Sequence, residues 1–298
     1  MLTLLKNIPL PIVGVMLGVA ALAKLHLLLD FHTTGNIFFV LALIMLAIVL
    51  AKMIFTPKNV LVHLENPIIA SVFPTLFLGS LILLSIVRIE WLWWLVAGAQ
   101  ILYAVFFTYK FAWKPRAKVD QIFPSWFVVY VGLGMVPITA GDFSSTYATI
   151  IWFVAVIALI VLFPIVAYRI FVKRNIPEPA KPLMTILAAP ASICVMGYLQ
   201  HFDPINESFL IGFECFAQLV YFVVLVLVVK MLRLPFYPSY GAFTFPLVAS
   251  AMSLTNVYFL LGESAMLRPI VYVEMAIATA IVVYVCIRYM MYMLKTNA

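Results

Sequence analysis

The few side chains in this sequence that could do chemistry lie within long apolar runs. Two acids, Glu214 and Glu274, interrupt such runs. An ionisable group placed inside a membrane is costly and is therefore a candidate for handling protons or ions. Both acids fall in segments without interior kinks, so we expect structural hydrogen bonds for them. Proton coupling through either acid is the alternative.

A second group of candidates is formed by prolines that recur through the chain. Pro9, Pro67, Pro124, Pro182 and Pro238 each open an apolar run, at intervals of 56 to 58 residues. Four of these runs contain a further interior proline, and these are Pro74, Pro137, Pro190 and Pro246. An interior proline removes a backbone hydrogen bond and kinks a helix at a cost of about 3 kcal/mol. In lipid the freed carbonyl must be buried in protein or face water, so these runs are predicted to surround an inner path.

Phe245 directly precedes the interior proline of the ninth run. An aromatic ring beside a kink can occlude a narrow path, and hydrophobic constrictions can gate by excluding water. The alternative is a core or lipid-facing phenylalanine, one of 24 in the chain. Five hydroxyl residues near the kinks are predicted to line the path, and these are Thr75, Thr139, Ser192, Thr244 and Ser250. The alternative for each is a hydrogen bond to a carbonyl of its own helix.

Other kinds of site are not indicated. Cys194, Cys215 and Cys286 lie apart in apolar segments and form no metal or disulfide spacing. The apolar runs contain no H-E-x-x-H or G-x-S-x-G motif. We therefore predict that the protein is not an enzyme and uses no cofactor or metal.

The composition places the chain in a membrane. Of its 298 residues 66% are hydrophobic and 10% are charged, and the mean hydropathy is +1.17. A soluble domain has about a quarter of its residues charged, so lipid must solvate much of this surface. The net charge of +7 is spread over short loops rather than one face, which argues against a nucleic-acid partner.

The apolar runs predict an all-α protein with ten membrane-spanning helices in a single domain, residues 1–298. About 20 apolar residues are needed for each span. The predicted spans are 8–28, 36–55, 67–87, 91–110, 124–141, 147–172, 182–200, 208–231, 238–261 and 269–291. The proline repeat covers two spans, which indicates five helical hairpins of the same sense. This differs from the inverted repeats of many transporters. The five odd-numbered spans are predicted to form an inner ring around a central pore, with the five even-numbered spans outside.

The loop charges predict the orientation of these spans. Fifteen Lys and Arg residues flank one side of the predicted layer and three flank the other. The basic side is cytoplasmic by the positive-inside rule, so both termini are predicted in the cytoplasm. Lys24, with Asp30, belongs to the outer side in this count. Lys114, Arg116 and Lys118 contribute to the basic side, and Asp142 to the other.

The odd-numbered runs resemble the tellurite-resistance/dicarboxylate transporter family, which includes bacterial tellurite-resistance channel homologues, fungal malate permeases and plant slow anion channels. The first run has Pro-Leu-Pro at 9–11 and Leu-Gly-Val-Ala-Ala-Leu at 17–22. The seventh has Leu-Ala-Ala-Pro-Ala-Ser-Ile-Cys-Val at 187–195, and the ninth has Ala-Phe-Thr-Phe-Pro at 242–246. One departure lies in the first run, where Met16 stands in place of a second proline, so we expect a straighter first helix.

The resemblance implies a pore within each subunit, a trimer of subunits in the cell membrane, and a phenylalanine that blocks the pore midway. Phe245 matches that phenylalanine, and Phe243 is the alternative if the register slips. The resemblance also implies an anionic substrate such as chloride, nitrate or malate. We predict an anion channel or facilitative anion transporter of small inorganic anions or C4-dicarboxylates. A proton-coupled dicarboxylate transporter is the alternative function.

Overall fold

The computed structural model describes residues 2–113, 119–141 and 146–297. The basic residues Lys114, Arg116 and Lys118 and the acid Asp142 lie outside these ranges. Within them the chain is helical and contains no strand, which confirms the all-α prediction. The α-helices are α1 (Leu2–Asn7), α2 (Ile12–Leu28), α3 (His32–Phe55), α4 (Pro57–His63), α5 (Pro67–Val72), α6 (Thr75–Val87), α7 (Glu90–Phe107), α8 (Trp126–Tyr130), α9 (Met135–Ala140), α10 (Thr146–Ala167), α11 (Ala189–His201), α12 (Glu207–Met231), α13 (Thr244–Leu260) and α14 (Arg268–Asn297).

Shorter helical forms extend or join several of these α-helices. The 3₁₀ segments are Val119–Gln121, Val131–Gly134, Glu178–Ala188 and Pro238–Phe243, and π turns continue α7 and α10 over Thr108–Ala112 and Tyr168–Lys173. In the described chain eight continuous helical stretches are long and apolar enough to cross a membrane. Two shorter apolar stretches, Ile12–Leu28 and Trp126–Ala140, complete the set. The protein is therefore a multi-pass membrane protein, while the arrangement of ten spans in five hairpins stays a prediction.

Burial alternates along the chain and separates the helices into two groups. Pro67–Val87, Glu178–His201 and Pro238–Leu260 are 72%, 89% and 83% buried, and nearly every residue of Ile12–Leu28 and Trp126–Ala140 is buried as well. We call these five stretches the inner segments. The helices between them are only 17% to 33% buried. Their exposed residues are mostly large and apolar, as expected for a surface in contact with lipid.

The inner segments contact one another in a closed cycle. α2 packs against α6, α6 against α9, α9 against α11, α11 against α13, and α13 returns to α2. The outer helices cover this cycle, with α3 on α2, α7 on α6, α10 on α11, α12 on Glu178–Ala188 and α14 on α13. The polypeptide thus forms two layers, and the inner layer is shielded from lipid by the outer one.

Each interior proline marks a break in an inner segment. Pro74 lies between α5 and α6, and Pro137 falls in the first turn of α9, directly after a 3₁₀ segment. Pro190 and Pro246 likewise fall in the first turns of α11 and α13, after 3₁₀ segments. The first turn of an α-helix tolerates proline because its N–H groups have no intrahelical partner. The prolines therefore end one helical segment and open the next. α2, which lacks an interior proline, is unbroken from Ile12 to Leu28.

The carbonyls released at these breaks receive hydrogen bonds from polar side chains. Pro74 cannot donate to the carbonyl of Ala70, four residues earlier, and the Tyr103 hydroxyl of α7 donates to it at 2.8 Å. From the same helix, Gln100 Nε2 donates to the carbonyl of Gly132 at 2.8 Å. These bonds fix the outer helix α7 against the breaks of two inner segments.

We expect Tyr103→Phe to destabilise the fold by about 1–3 kcal/mol, because it leaves the buried carbonyl of Ala70 without a donor. The measurement is the thermal unfolding midpoint of the purified protein in detergent. Tyr109→Phe, which removes a hydroxyl from a side chain that is 72% exposed, is the matched control and should leave the midpoint unchanged. Equal midpoints for the two variants would show that the break does not need this bond.

Candidate functional site

The inner segments enclose a cavity of about 400 Å³ to which all five contribute lining residues. The cavity begins where the inner segments begin, at Pro9, Asn66, Pro177 and Pro238. The last lining residue along each segment lies near its helix break, or at the same depth on α2. These residues, the floor residues, are Leu17, Leu78, Gly132, Ile193 and Phe245 with its neighbour Pro246. The cavity therefore reaches from one face of the protein to the level of the breaks.

The walls of the cavity are mostly apolar. Among the described lining residues, the polar side chains are His63, Asn66, Thr75 and Ser239, and none is a carboxylate. His63 is the only titratable side chain in this set. Burial, and secondarily the neighbouring Lys52, hold the pKa of His63 below its usual value, so its imidazole is neutral at pH 7. The cavity can accept an anion without meeting negative charge.

The floor is narrow because two inner segments approach closely there. A Cβ added to Gly18 of α2 would lie 2.3 Å from Cβ and Oγ1 of Thr244 and 3.1 Å from the backbone nitrogen of Phe245. Thr244 Oγ1 also donates to the carbonyls of Gly14, at 3.1 Å, and Gly241, at 2.7 Å. These contacts hold the first turn of α13, and with it Phe245, against α2.

The two phenylalanines named from the sequence differ in position. Phe245 is 7% exposed and lines the cavity at its floor. Phe243 is fully buried, does not belong to the lining, and packs its ring against Tyr240 at a centroid distance of 4.9 Å. The structure therefore brings Phe245, and not Phe243, to the inner path. Its role as a gate stays a prediction.

The interior prolines are all buried at the breaks, but only two of them reach the cavity. Pro190 and Pro246 belong to the lining, while Pro74 and Pro137 do not. The carbonyl of Pro137 instead accepts a hydrogen bond from Nε2 of His201 at 2.7 Å. This bond ties the end of α11 to the break in the neighbouring inner segment.

Of the five hydroxyl residues predicted near the path, only Thr75 belongs to the cavity lining. Its Oγ1 donates to the carbonyl of Val72 at 2.8 Å. Thr139 donates to the carbonyl of Met135 at 2.6 Å and accepts from Trp93 Nε1 at 2.9 Å. Thr139 is thus used in packing α7 against α9.

Ser192 and Ser250 meet at the break before α11. Their Oγ atoms are 3.3 Å apart, and both approach the carbonyl of Ala188, at 3.3 Å from Ser192 and 3.4 Å from Ser250. Neither residue lines the cavity. Ser192 therefore bonds within its own segment, as the alternative predicts, whereas Ser250 reaches the carbonyl of a neighbouring inner segment.

The two buried acids lie away from the cavity, where α12, α13 and α14 meet. Glu214 is 4% exposed, and its carboxylate accepts from Ser253 Oγ at 2.6 Å and from Gln218 Nε2 at 2.8 Å. Glu274 is 2% exposed and interacts electrostatically with Glu214. Within the described chain neither carboxylate oxygen of Glu274 makes a hydrogen bond of normal geometry, although the amide of Gln218, which donates to Glu214, lies close enough to interact with it. A structural hydrogen bond to an inner helix is therefore seen for Glu214, whose partner Ser253 lies on α13.

Three polar residues that matter to the inner layer escaped the sequence analysis. Gln100 and Tyr103 donate to carbonyls at the helix breaks from an outer helix. Lys24, which the sequence analysis uses only as a flanking charge, donates from α2 to Ser85 of α6 at 2.8 Å. The available signal was the presence of these polar side chains well inside apolar runs. In the described chain no group of three or more His, Cys, Asp or Glu side chains is placed to hold a metal ion.

Comparison with known proteins identifies a family whose model matches nearly the whole chain. The family model SLAC1, described as voltage-dependent anion channel, matches residues 7–291. Two proteins of Methanocaldococcus jannaschii, both described as uncharacterized transporters, are similar to the chain. The first is 24% identical over 69% of this chain and 69% of its own length. The second is 25% identical over 67% of this chain and 66% of its own length.

The close approach at the floor generates a stability prediction. Gly18→Ala forces Thr244 and the start of α13 to move, and overpacking of this kind costs about 1–3 kcal/mol. We expect a lower thermal unfolding midpoint in detergent. Gly98→Ala on α7 is the matched control, because no atom lies within 4 Å of its added Cβ, and it should leave the midpoint unchanged or raise it. A Gly18→Ala protein as stable as the control would contradict the tight contact between α2 and α13.

Proposed function

This chain belongs to the SLAC1 family of voltage-dependent anion channels, and we propose that it conducts small anions through the cycle of inner segments, past Phe245. The family and the transporter relatives indicate a transporter or channel rather than an enzyme. The single observation that carries the proposal is the cavity, which all five inner segments line without a carboxylate and which ends at Phe245. The substrates proposed are chloride, nitrate or a C4-dicarboxylate such as malate.

The proposed architecture is ten spans in five hairpins of the same sense, with the inner segments around the pore. The closed cycle of contacts and the alternating burial support this arrangement. We assign the protein to the cell membrane. From the loop charges, both termini and the open end of the cavity face the cytoplasm. A homotrimer in which each subunit has its own pore is proposed from the family resemblance.

The electrostatics of the cavity favour an anion. The inner segments direct their N-terminal ends toward its mouth, where the N–H groups of a helix carry partial positive charge. The chain has a net charge of +7, which raises the local concentration of anions near a mouth on the basic side. Since no described lining side chain is acidic, nothing in the wall opposes this field.

The proposed gate is the ring of Phe245 at the narrow floor. The ring is nearly buried, and the first turn of α13 that carries it is tied to α2 by Thr244. An apolar ring in a path lined by Leu17, Leu78 and Ile193 excludes water, and an anion that loses its hydration there meets a high barrier. Conduction therefore requires the ring to move, or to be removed.

We expect Phe245→Ala to increase chloride and nitrate flux by at least about tenfold, which corresponds to a barrier lowered by roughly 1.4 kcal/mol. The measurement is anion flux in proteoliposomes, or current by electrode recording, at equal protein content. The increase should not depend on a pH gradient, because no proton takes part in the proposed pathway.

Two variants of similar size serve as controls for this experiment. Phe222→Ala removes a ring from the outer helix α12 that is 53% exposed, and it should leave the flux unchanged. Phe243→Ala tests the neighbouring register, and no opening is expected because its ring packs against Tyr240 outside the lining. Opening by Phe243→Ala alone would move the gate to that residue, and opening by neither would contradict a phenylalanine gate.

A second candidate function, proton-coupled dicarboxylate transport, is favoured by one observation. Glu274 is buried among apolar helices, no basic side chain pairs with it in the described chain, and only the amide of Gln218 interacts weakly with its carboxylate. An ionised carboxylate in that position is costly, so the group has reason to carry a proton. Glu214 lies nearby, and its partner Ser253 is on α13, the helix that also carries Phe245. A change of protonation at this pair therefore has a route to the proposed gate.

If transport is coupled to protons, Glu274→Gln and Glu214→Gln should abolish malate uptake driven by an inward pH gradient. Glu207→Gln, an exposed acid at the start of the same helix as Glu214, is the matched control and should retain uptake. The measurement is radiolabelled malate accumulation in proteoliposomes. Unchanged accumulation in both variants would remove this candidate, whereas loss in both together with a silent Phe245→Ala would favour it over the channel.

A further inference from the structure

The faces of α2 and α6 that line the cavity continue beyond its floor. Leu17 and Leu78 are the last cavity-lining residues on these two helices. Lys24 and Ser85 each follow seven residues later, which is two helical turns on the same face and about 10 Å further along the axis. A path that continues past Phe245 along these two helix faces would meet these two side chains next.

Lys24 and Ser85 are in contact with each other. Lys24 Nζ donates to Ser85 Oγ at 2.8 Å, and Ser85 Oγ in turn donates to the carbonyl of Ile82 at 2.8 Å. Both side chains are only partly buried. The hydroxyl proton is thus directed into α6, and a lone pair of the hydroxyl faces the ammonium group.

The ammonium group of Lys24 has unused hydrogen-bonding capacity. A lysine has three N–H donors, and one of them is taken by Ser85. Within the described chain no carboxylate pairs with Lys24, and no other acceptor takes its two remaining N–H groups. These two N–H groups are therefore available to an anion.

We propose that Lys24, positioned by Ser85, binds the permeating anion on the far side of Phe245 and selects anions over cations. This inference rests on the proposed function, since it assigns a second anion contact to the same path. The ligand is a small inorganic anion or a carboxylate, held by the two free N–H groups. The mouth of the cavity would then attract anions on one side of Phe245, and Lys24 would bind them on the other side.

The bond to Ser85 distinguishes this role from that of an interfacial lysine. A lysine near a span end often extends its chain to place the ammonium group in water. Here the ammonium group instead bonds to the neighbouring inner helix α6. It lies on the face of α6 that lines the cavity two turns earlier, at Leu78. The bond fixes the charge beside the path.

The test measures anion binding and permeation in Lys24→Gln. Binding is followed without flux, by the rise in thermal unfolding midpoint of the protein in detergent when gluconate is replaced by nitrate or chloride at constant ionic strength. Permeation is followed as the half-saturating chloride concentration and the chloride-to-potassium permeability ratio, in the Phe245→Ala background. We expect Lys24→Gln to abolish the midpoint rise, to raise the half-saturating concentration roughly tenfold, and to lower the permeability ratio.

Lys24→Arg keeps the charge and should retain most of both effects, while Ser85→Ala frees the ammonium group and should weaken binding less than Lys24→Gln does. Lys58→Gln, at an exposed lysine, is the matched control for loss of one positive charge. Equal midpoint rises in wild type and Lys24→Gln would overturn the inference, even in the absence of any flux. If Lys24→Gln does not fold, the inference is tested with Lys24→Arg and Ser85→Ala. Unaltered anion binding in Ser85→Ala together with lost anion binding in Lys24→Arg would also overturn the inference. A Phe245→Ala protein without anion current refutes the proposed function separately.

Discussion

The inner layer depends on one constraint, which is that a backbone carbonyl freed within the apolar layer must find a donor in the protein. Four inner segments are interrupted, and each interruption exposes main-chain groups at a depth where water is scarce. Tyr103 and Gln100 supply donors from an outer helix, His201 supplies one from a neighbouring inner segment, and the serines at Ala188 supply others. The outer helices are therefore more than a lipid-facing cover. Their polar residues are placed where the inner segments lose regular structure.

The same breaks determine where the cavity ends. A regular helix fills its own backbone hydrogen bonds and packs side chains along its whole length, whereas a 3₁₀ segment followed by an α-helix changes which face points inward. Three of the inner segments make this change directly before Ala189, Thr244 and Met135. α2 makes no such change. It packs closely against α13 because Gly18, which has no side chain, lies against Thr244. The floor thus combines irregular backbone on four sides with an unbroken helix on the fifth.

The sequence was sufficient for the features that depend on length and composition. The bounds of the helices follow the predicted apolar runs closely, because a span must be apolar over its full length. The four runs that carry an interior proline in register are all buried, but an interior proline does not by itself identify a buried run. Pro164 lies inside the largely exposed helix α10, and α2 is buried without an interior proline. The position of Phe245 at the inner path followed from the resemblance and from its place beside Pro246.

The sequence was insufficient wherever the rotation of a side chain about its helix axis decides its role. Thr139 and Ser192 lie near breaks as predicted, but their hydroxyls bond to Trp93 and to the carbonyl of Ala188 instead of lining the cavity. The helical periodicity of the sequence cannot predict this, because the number of residues per turn changes where a 3₁₀ segment becomes an α-helix. Lys24 falls within the predicted span 8–28, but it counts only among the charges that flank the outer side, because a charge near the end of an apolar run usually marks its boundary. Its structural role becomes visible only through Ser85, which is 61 residues away in the chain.

The distribution of charge between the layers is itself an argument about the permeating species. Glu214 and Glu274 lie among α12, α13 and α14, outside the cavity lining, whereas Lys24 lies on an inner helix. At an effective dielectric constant of about 20, two unit charges about 4 Å apart interact by roughly 4 kcal/mol. One carboxylate in the lining would therefore be enough to repel an anion, and one ammonium group is enough to hold it. Because the two acids lie outside the cavity lining and Lys24 lies on an inner helix, the buried carboxylates are compatible with the proposed anion path.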